Sequence, residues 1–112
     1  MRRGEIWWAS LGEPRASERG YPRPVLVVQA DSFNRSRIST VLVVAIKSNL
    51  RLAEAPGNML LTRRQSKLPR ESVVNVSQIL TLDKQFLTER VSRLAPNLIS
   101  EVEQGLRLVL SL

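Results

Sequence analysis

The apolar residues of this chain come in short, mostly β-branched runs, and the longest, residues 41–46, has six members. A run of that length suits a strand buried on both faces and falls short of the roughly 10–12 residues of a core helix. Residues 40–46 are therefore expected to form a central strand. Residues 24–29 (PVLVVQ) read as a second buried strand, with proline tolerated at its first position. Residues 5–11, aromatic and weakly alternating, suit a first strand, and residues 58–61 a short one. Segments 72–76 and 78–82 are separated by little more than Ser77, so a bend or bulge is expected between them. Phe86-Leu87 marks a short further element.

The connecting segments carry the turn chemistry. Residues 12–23 are rich in charge, glycine and proline and form a loop of about a dozen residues, long enough to be a candidate functional element. Residues 31–36 can hold a short helical turn. Residues 47–57 make a second loop containing Pro56-Gly57, and residues 63–70 a basic connector. The period changes only near the end. Pro96 sits where a first helical turn accepts it, and Leu98, Ile99, Val102, Leu106, Val109 and Leu110 then share one helical face. Gly105 costs that helix about 1 kcal/mol relative to alanine, which a close packing contact would explain. Short strands with no strand–helix alternation predict a mainly β fold, an antiparallel barrel carrying a C-terminal helix, in a single domain over residues 1–112.

The chain has neither cysteine nor histidine. A disulfide framework and a thiolate metal site are thereby excluded, and the usual zinc ligand and the usual general base near neutral pH are missing. No metal or cofactor is expected. The N-terminal Met1-Arg2-Arg3-Gly4-Glu5 lacks the apolar run of a signal peptide, and nothing approaches the roughly 18 apolar residues of a membrane helix. A soluble, cytoplasmic protein with no membrane partner is expected. Net charge is +7, and 13 of the 17 basic residues but only 5 of the 10 acidic ones precede Glu71. That asymmetry fits a polyanionic partner, or simply a charged surface kept for solubility.

Three polar clusters interrupt the apolar strands. The first is Ser17-Glu18-Arg19-Gly20-Tyr21-Pro22-Arg23, where flanking prolines restrict the backbone around Arg23 and reduce the entropy lost in placing it. A carboxylate and a guanidinium in one loop can address a ribose hydroxyl and a phosphate together, or can form an ordinary surface ion pair. Lys47-Ser48-Asn49 ends the strongest strand, where small polar groups can donate to phosphate or merely mark a strand exit. Ser77-Gln78 lies between apolar strands, and Gln78 can read a base edge or satisfy backbone groups. Trp7 and Trp8 point to opposite faces of their strand, so at most one is fully in the core; the other can stack on a base or sit in an interface.

Taken in order, these blocks resemble the MazF/PemK-type toxins. Arg3-Gly4-Glu5-Ile6-Trp7-Trp8 is similar to the family's RGDIW opening, and residues 17–29 to its GSEQGGxRPVLVVQ segment. Val44-Ala45-Ile46-Lys47-Ser48-Asn49 corresponds to its VAITSN strand exit, and residues 72–79 to its DSVVxxxQI segment. Thr81-Leu82-Asp83-Lys84 and the last helix also agree, so the likeness runs from about residue 2 to residue 110. It implies an SH3-like barrel of the PemK/MazF/CcdB kind and a homodimer. It also implies sequence-specific, metal-independent endoribonuclease activity on single-stranded RNA, leaving a cyclic phosphate and a 5′-hydroxyl. A cognate MazE/PemI-like antitoxin that blocks the RNA groove is implied as partner.

Residue by residue, the resemblance makes Arg23 the catalytic arginine, expected to stabilise developing phosphate charge, and Glu18 the carboxylate supporting it or the attacking hydroxyl. Ser17, Arg19, Ser48, Asn49 and Gln78 are then expected to contact RNA. Two positions depart from the pattern. Ala16 replaces the usual glycine, and Lys47 occupies the place of the threonine that helps hold the scissile phosphate. Lysine meets phosphate as a point charge on a flexible stem and repels Arg23 unless an anion lies between them. A toxin with reduced turnover is expected. The alternatives are a weak or inactive relative that acts by binding antitoxin or RNA, and a gyrase-poisoning toxin of the same fold.

Overall fold

The computed structural model describes residues 1–10 and 22–112. Six strands, β1 (Glu5–Ser10), β2 (Pro22–Val27), β3 (Thr40–Lys47), β4 (Met59–Leu61), β5 (Ser72–Asp83) and β6 (Leu87–Arg93), form one sheet. Its order is β4-β5-β3-β2-β1-β6, every neighbouring pair is antiparallel, and it curls into a half-barrel. Helical turns α1 (Asp31–Asn34) and α2 (Arg63–Ser66) and the longer helix α3 (Pro96–Leu110) complete the fold.

Both faces of the curled sheet are apolar. On one face Ile6, Leu26, Val44, Ile46, Val74 and Val76 pack with Leu98 and Val102 of α3. On the other, Ala9, Val25, Val27, Val41 and Val43 gather under Trp7, Leu80, Leu82 and Leu87. Burial on both sides is why β2 and β3 read as continuous apolar runs and not as alternating ones. Neither tryptophan is fully buried, and the two belong to opposite clusters as their adjacency on β1 requires.

Segments 72–76 and 78–82 are one strand, β5, with a bulge where the polar residues fall. Val44 pairs with Ile79 and the next residue, Ala45, with Asn75, so Val76, Ser77 and Gln78 have no partner on β3. The odd number of extra residues reverses which residues of β5 share a face with β3, and apolar packing continues on both sides of the bulge. An orphaned buried amide costs about 1–3 kcal/mol, and Val76 N avoids this by donating to Asn58 Oδ1 at 2.9 Å.

Three other expectations change. Phe86-Leu87 does not stand as a short element: Phe86 closes a 3-10 turn at Lys84–Phe86, and Leu87 opens the seven-residue strand β6. The basic connector begins with α2, held by a capping box in which Thr62 and Gln65 bond each other's backbone amides. The loop after β3 contains a 3-10 turn at Leu50–Glu54. α2 sits between the edge strands β4 and β6, and Ser92 Oγ of β6 donates to the carbonyl of Ser66. The gap between the sheet's two edges is thus plugged by a helical turn and not by strand pairing.

Gly105 marks a close approach. A Cβ there would overlap the carbonyl oxygen of Gly57, whose own φ of +85° also favours glycine. This is the close packing contact the sequence calls for in the middle of α3, whose Leu98 and Val102 are buried while Leu108, Val109 and Leu110 are exposed. At the start of β1, Glu5 accepts from Arg2 N, Trp7 Nε1 and Arg90 Nε at 2.7, 3.1 and 2.6 Å. Burial alone would raise the Glu5 carboxyl, but these three bonds and the Arg90 charge outweigh it and hold its pKa below the ordinary value. Arg3 pairs with Glu103 of α3 at 2.8 Å and ties the helix to the same end of the sheet.

Candidate functional site

The opposite end of β1 is built differently. The Pro22-Arg23-Pro24 start of β2 pairs with Ser10, Ala9 and Trp8 of β1. On its other side, β2 pairs with β3 only from Val25↔Ala45 inward. Pro24 has no amide hydrogen to extend that ladder. Beyond Ala45, β3 therefore stays bonded to β5 alone, through Ile46↔Val74 and Lys47↔Val73. Where β2 and β3 part, a pocket of about 390 Å³ opens, lined by Trp8, by the Pro22-Arg23-Pro24 and Ala45-Ile46-Lys47-Ser48 segments, by Leu68-Pro69-Arg70 and by Ser72.

Three cations border it, Arg23, Lys47 and Arg70, and no carboxylate does so among the described residues. Arg23 is exposed, Lys47 half-buried and Ser48 exposed. Among the described residues Arg23 makes no ion pair; the two pairs found there are Arg3–Glu103 and Arg90–Glu5. Continuing the β2–β3 register two residues past Val25↔Ala45 sets Arg23 across from Lys47, and opposite residues of an antiparallel pair share a face. Two like charges so placed repel unless an anion sits between them.

Arg70 and Trp8 were not singled out as site residues by the sequence reading. The Pro69-Arg70 strap is pinned on both sides: Leu68 N donates to Ser66 Oγ, and Ser72 Oγ donates to the carbonyl of Arg70, both at 3.0 Å. Nothing in the sequence around Arg70 distinguishes it from the other basic residues of the connector. Trp8 carried a signal in its alternation with Trp7, which left one indole free of the opposite core; the structure sets Trp8 half-buried in the pocket lining.

The remaining expected residues fall in three places. Ser17, Glu18 and Arg19, with Ala16, lie outside the described residues. Asn49 is not in the pocket lining; its side chain caps the 3-10 turn by accepting from Arg51 N at 3.1 Å. Gln78 also lies outside the lining, on the β5 bulge, where its Oε1 accepts from Asn75 Nδ2 at 2.7 Å. The structure thus brings Arg23, Lys47 and Ser48 together and keeps Asn49 and Gln78 apart from them.

Residues 2–110 match the family described as PemK-like, MazF-like toxins of type II toxin–antitoxin systems. The chain belongs to that family. It is 50% identical over 112 residues to Endoribonuclease MazF6 of Mycobacterium tuberculosis and to Endoribonuclease MazF2 of Mycobacterium bovis, covering all of this chain and 98% of each relative. Its fold is shared with solved structures of much lower identity. One is an endoribonuclease in complex with its cognate antitoxin from a mycobacterial species, with a TM-score of 0.81 at 22% identity over 100% of this chain and 96% of that one. Another is the Mycobacterium tuberculosis toxin MazF-mt6, with a TM-score of 0.79 at 18% identity over 96% and 97% of the two chains. The mainly β fold with a C-terminal helix expected from the sequence is therefore that of MazF toxins. Among the described residues no helix is long and apolar enough to cross a membrane.

Proposed function

We propose that this toxin is an endoribonuclease that cuts single-stranded RNA in the cytoplasm without metal, holding the scissile phosphate where Arg23, Lys47 and Ser48 meet. The observation that carries this reading is the exposed Arg23 guanidinium beside a pocket bordered by cations and, among the described residues, by no acid. The 50% identity to proteins named endoribonuclease supports it. That family membership also leaves the binding-only and gyrase-poisoning alternatives without support of their own.

In this mechanism the ribose 2′-hydroxyl loses its proton and O2′ attacks phosphorus. The P–O5′ bond breaks, leaving a 2′,3′-cyclic phosphate, and O5′ takes up a proton to become a 5′-hydroxyl. Charge grows on the non-bridging oxygens as the phosphorane forms. A fixed guanidinium meets that charge with two parallel donors and keeps its own proton throughout. Glu18 is assigned to the 2′-hydroxyl or to holding Arg23, and Ser17 and Arg19 of the same loop, with Ser48 and Asn49, to the RNA backbone. Lys47 adds a second positive charge but cannot accept a proton while charged, and its stem crowds the phosphate; it is assigned as the cause of a lowered turnover.

The working unit is proposed to be a homodimer; its restraint by a cognate antitoxin is supported by the endoribonuclease of the same fold solved in complex with its own antitoxin. The basic surface suits an acidic antitoxin segment as well as RNA. The test is incubation of purified protein with a fluorescent single-stranded RNA in excess EDTA. Fragments ending in cyclic phosphate and beginning in 5′-hydroxyl are expected. Intact RNA in EDTA with cleavage restored by Mg²⁺ would rule the metal-free reading out.

A further inference from the structure

Gln78 is exposed on the β5 bulge, and three amides in a row decide which of its two polar atoms faces outward. Asn58 starts the chain, and its orientation is set by backbone groups of fixed polarity. Val76 N–H can only donate, so it must meet Asn58 Oδ1 (2.9 Å); the Leu52 carbonyl can only accept, so it must meet Asn58 Nδ2 (2.9 Å). The second hydrogen of Asn58 Nδ2 then goes to Asn75 Oδ1 at 3.0 Å, which also accepts from Ser77 Oγ at 3.0 Å. With its oxygen so engaged, buried Asn75 can offer only Nδ2 to Gln78, and it does so at 2.7 Å to Oε1. The Gln78 oxygen is thereby turned inward, and the Gln78 NH₂ is left facing solvent with no partner among the described residues.

Asn75 lies on the face that carries Arg23 and Lys47. The rows Trp7–Val25–Ala45–Asn75 and, one step along, Ala9–Arg23 with Lys47–Val73 are cross-strand neighbours in the registers of β1, β2, β3 and β5. A nucleotide strand with one phosphate at Arg23 and Lys47 can therefore continue along the face towards Gln78.

We infer that Gln78 is a specificity-determining donor, and Asn75 the positioning residue that fixes its polarity, so that the toxin selects at one position for a base presenting an acceptor, a carbonyl oxygen or ring nitrogen, there. This rests on the nuclease reading above for its consequence in cleavage, and on the amide chain alone for its consequence in binding. Discrimination follows because a base offering an amine there faces donor against donor and leaves both unsatisfied.

Two substitutions reverse the polarity by different atoms. Gln78→Glu, at an exposed position, keeps an oxygen for Asn75 and turns a second oxygen outward. Asn75→Asp leaves Asn58 and Ser77 bonded to a carboxylate, whose other oxygen draws in the Gln78 NH₂ and turns Gln78 Oε1 outward. Each variant and the unaltered chain are assayed on a randomised single-stranded RNA pool with cleavage sites read by sequencing. In parallel, binding to labelled 2′-O-methyl oligonucleotides differing at one base is measured by fluorescence anisotropy. At one and the same position, both variants are expected to shift preference by about tenfold from acceptor-presenting to amine-presenting bases, with Gln78→Ala flattening it. Uniform weakening across all sequences with the preferred base unchanged would overturn the inference. If the unaltered chain cuts nothing, the nuclease reading fails, and the anisotropy preference still upholds or refutes the donor role of Gln78.

Discussion

Both ends of β1 are flanked by arginines and use them in opposite ways. At the Glu5 end lie both ion pairs of the described residues: Glu5 takes three donors, including Arg90 at 2.6 Å, and Arg3 reaches Glu103 at 2.8 Å. At the Arg23 end three cations border an open pocket with no described carboxylate among them. An arginine is structural when an acid or carbonyl already occupies its fork; it remains available to a phosphate when its neighbours are prolines and other cations. The prolines supply that contrast, because they end the β2–β3 ladder and leave a gap where a strand pair would have closed.

The largest effect that sharpens this contrast belongs to the closed end. Glu5→Ala removes the acceptor of three donors from a residue that is 6% exposed, and should destabilise the fold by about 3 kcal/mol in chemical denaturation. The pH dependence has a definite sign. Because the folded pKa of Glu5 lies below its ordinary value of 4.5, its contribution is fully present above about pH 4.5 and is lost as pH falls through the lowered value. Asp31, lowered from 3.8 chiefly by the Arg3 amide, acts in the same direction. Stability should therefore drop on acidification below about pH 4.5, and Glu5→Gln should make the curve shallower; an unchanged curve would break the closed-end half of the contrast.

At the open end, substitutions should alter turnover and leave the melting temperature alone. Lys47→Thr relieves the repulsion of Arg23 and uncrowds the phosphate, and is expected to raise kcat about tenfold. Equal, fast rates for both forms would show that Lys47 costs nothing. Arg70→Ala should raise KM about threefold to tenfold with kcat unchanged, since an exposed cation across the pocket adds uniform phosphate binding without meeting the developing charge. A fall in kcat alone would place Arg70 closer to the reacting atoms than its strap suggests.

Much of the fold was legible because burial and period agree. β2 and β3 are buried on both faces and so appear as unbroken apolar runs, and α3 shows its face through Leu98 and Val102. β6 was less visible because Thr88, Glu89 and Arg90 are exposed on an edge strand, which leaves only Leu87, Val91 and Ser92 at least partly buried and no period-two alternation. The bend or bulge expected at Ser77 is a bulge within β5, and its freed Val76 amide is met by Asn58 from a distant part of the chain; no local signal carries that bond. α2 had a usable mark in Thr62-Arg63-Arg64-Gln65, a capping-box pattern. Of the site, Arg23 and Lys47-Ser48 stood out by their place at strand ends. Arg70 did not, since what sets it apart from its basic neighbours is a strap pinned by Ser66 and Ser72.

The central claim is the proposal that Arg23, without an ion pair among the described residues, meets the scissile phosphate. Single-turnover cleavage of a labelled single-stranded RNA by Arg23→Ala, in EDTA, with the melting temperature of the same sample recorded, tests it most directly. The expected result is a rate lower by about 10²–10³ with the melting temperature unchanged. A rate within about threefold of the unaltered chain, or a loss of stability like that of Glu5→Ala, would show that Arg23 serves the fold and that the phosphate is met elsewhere.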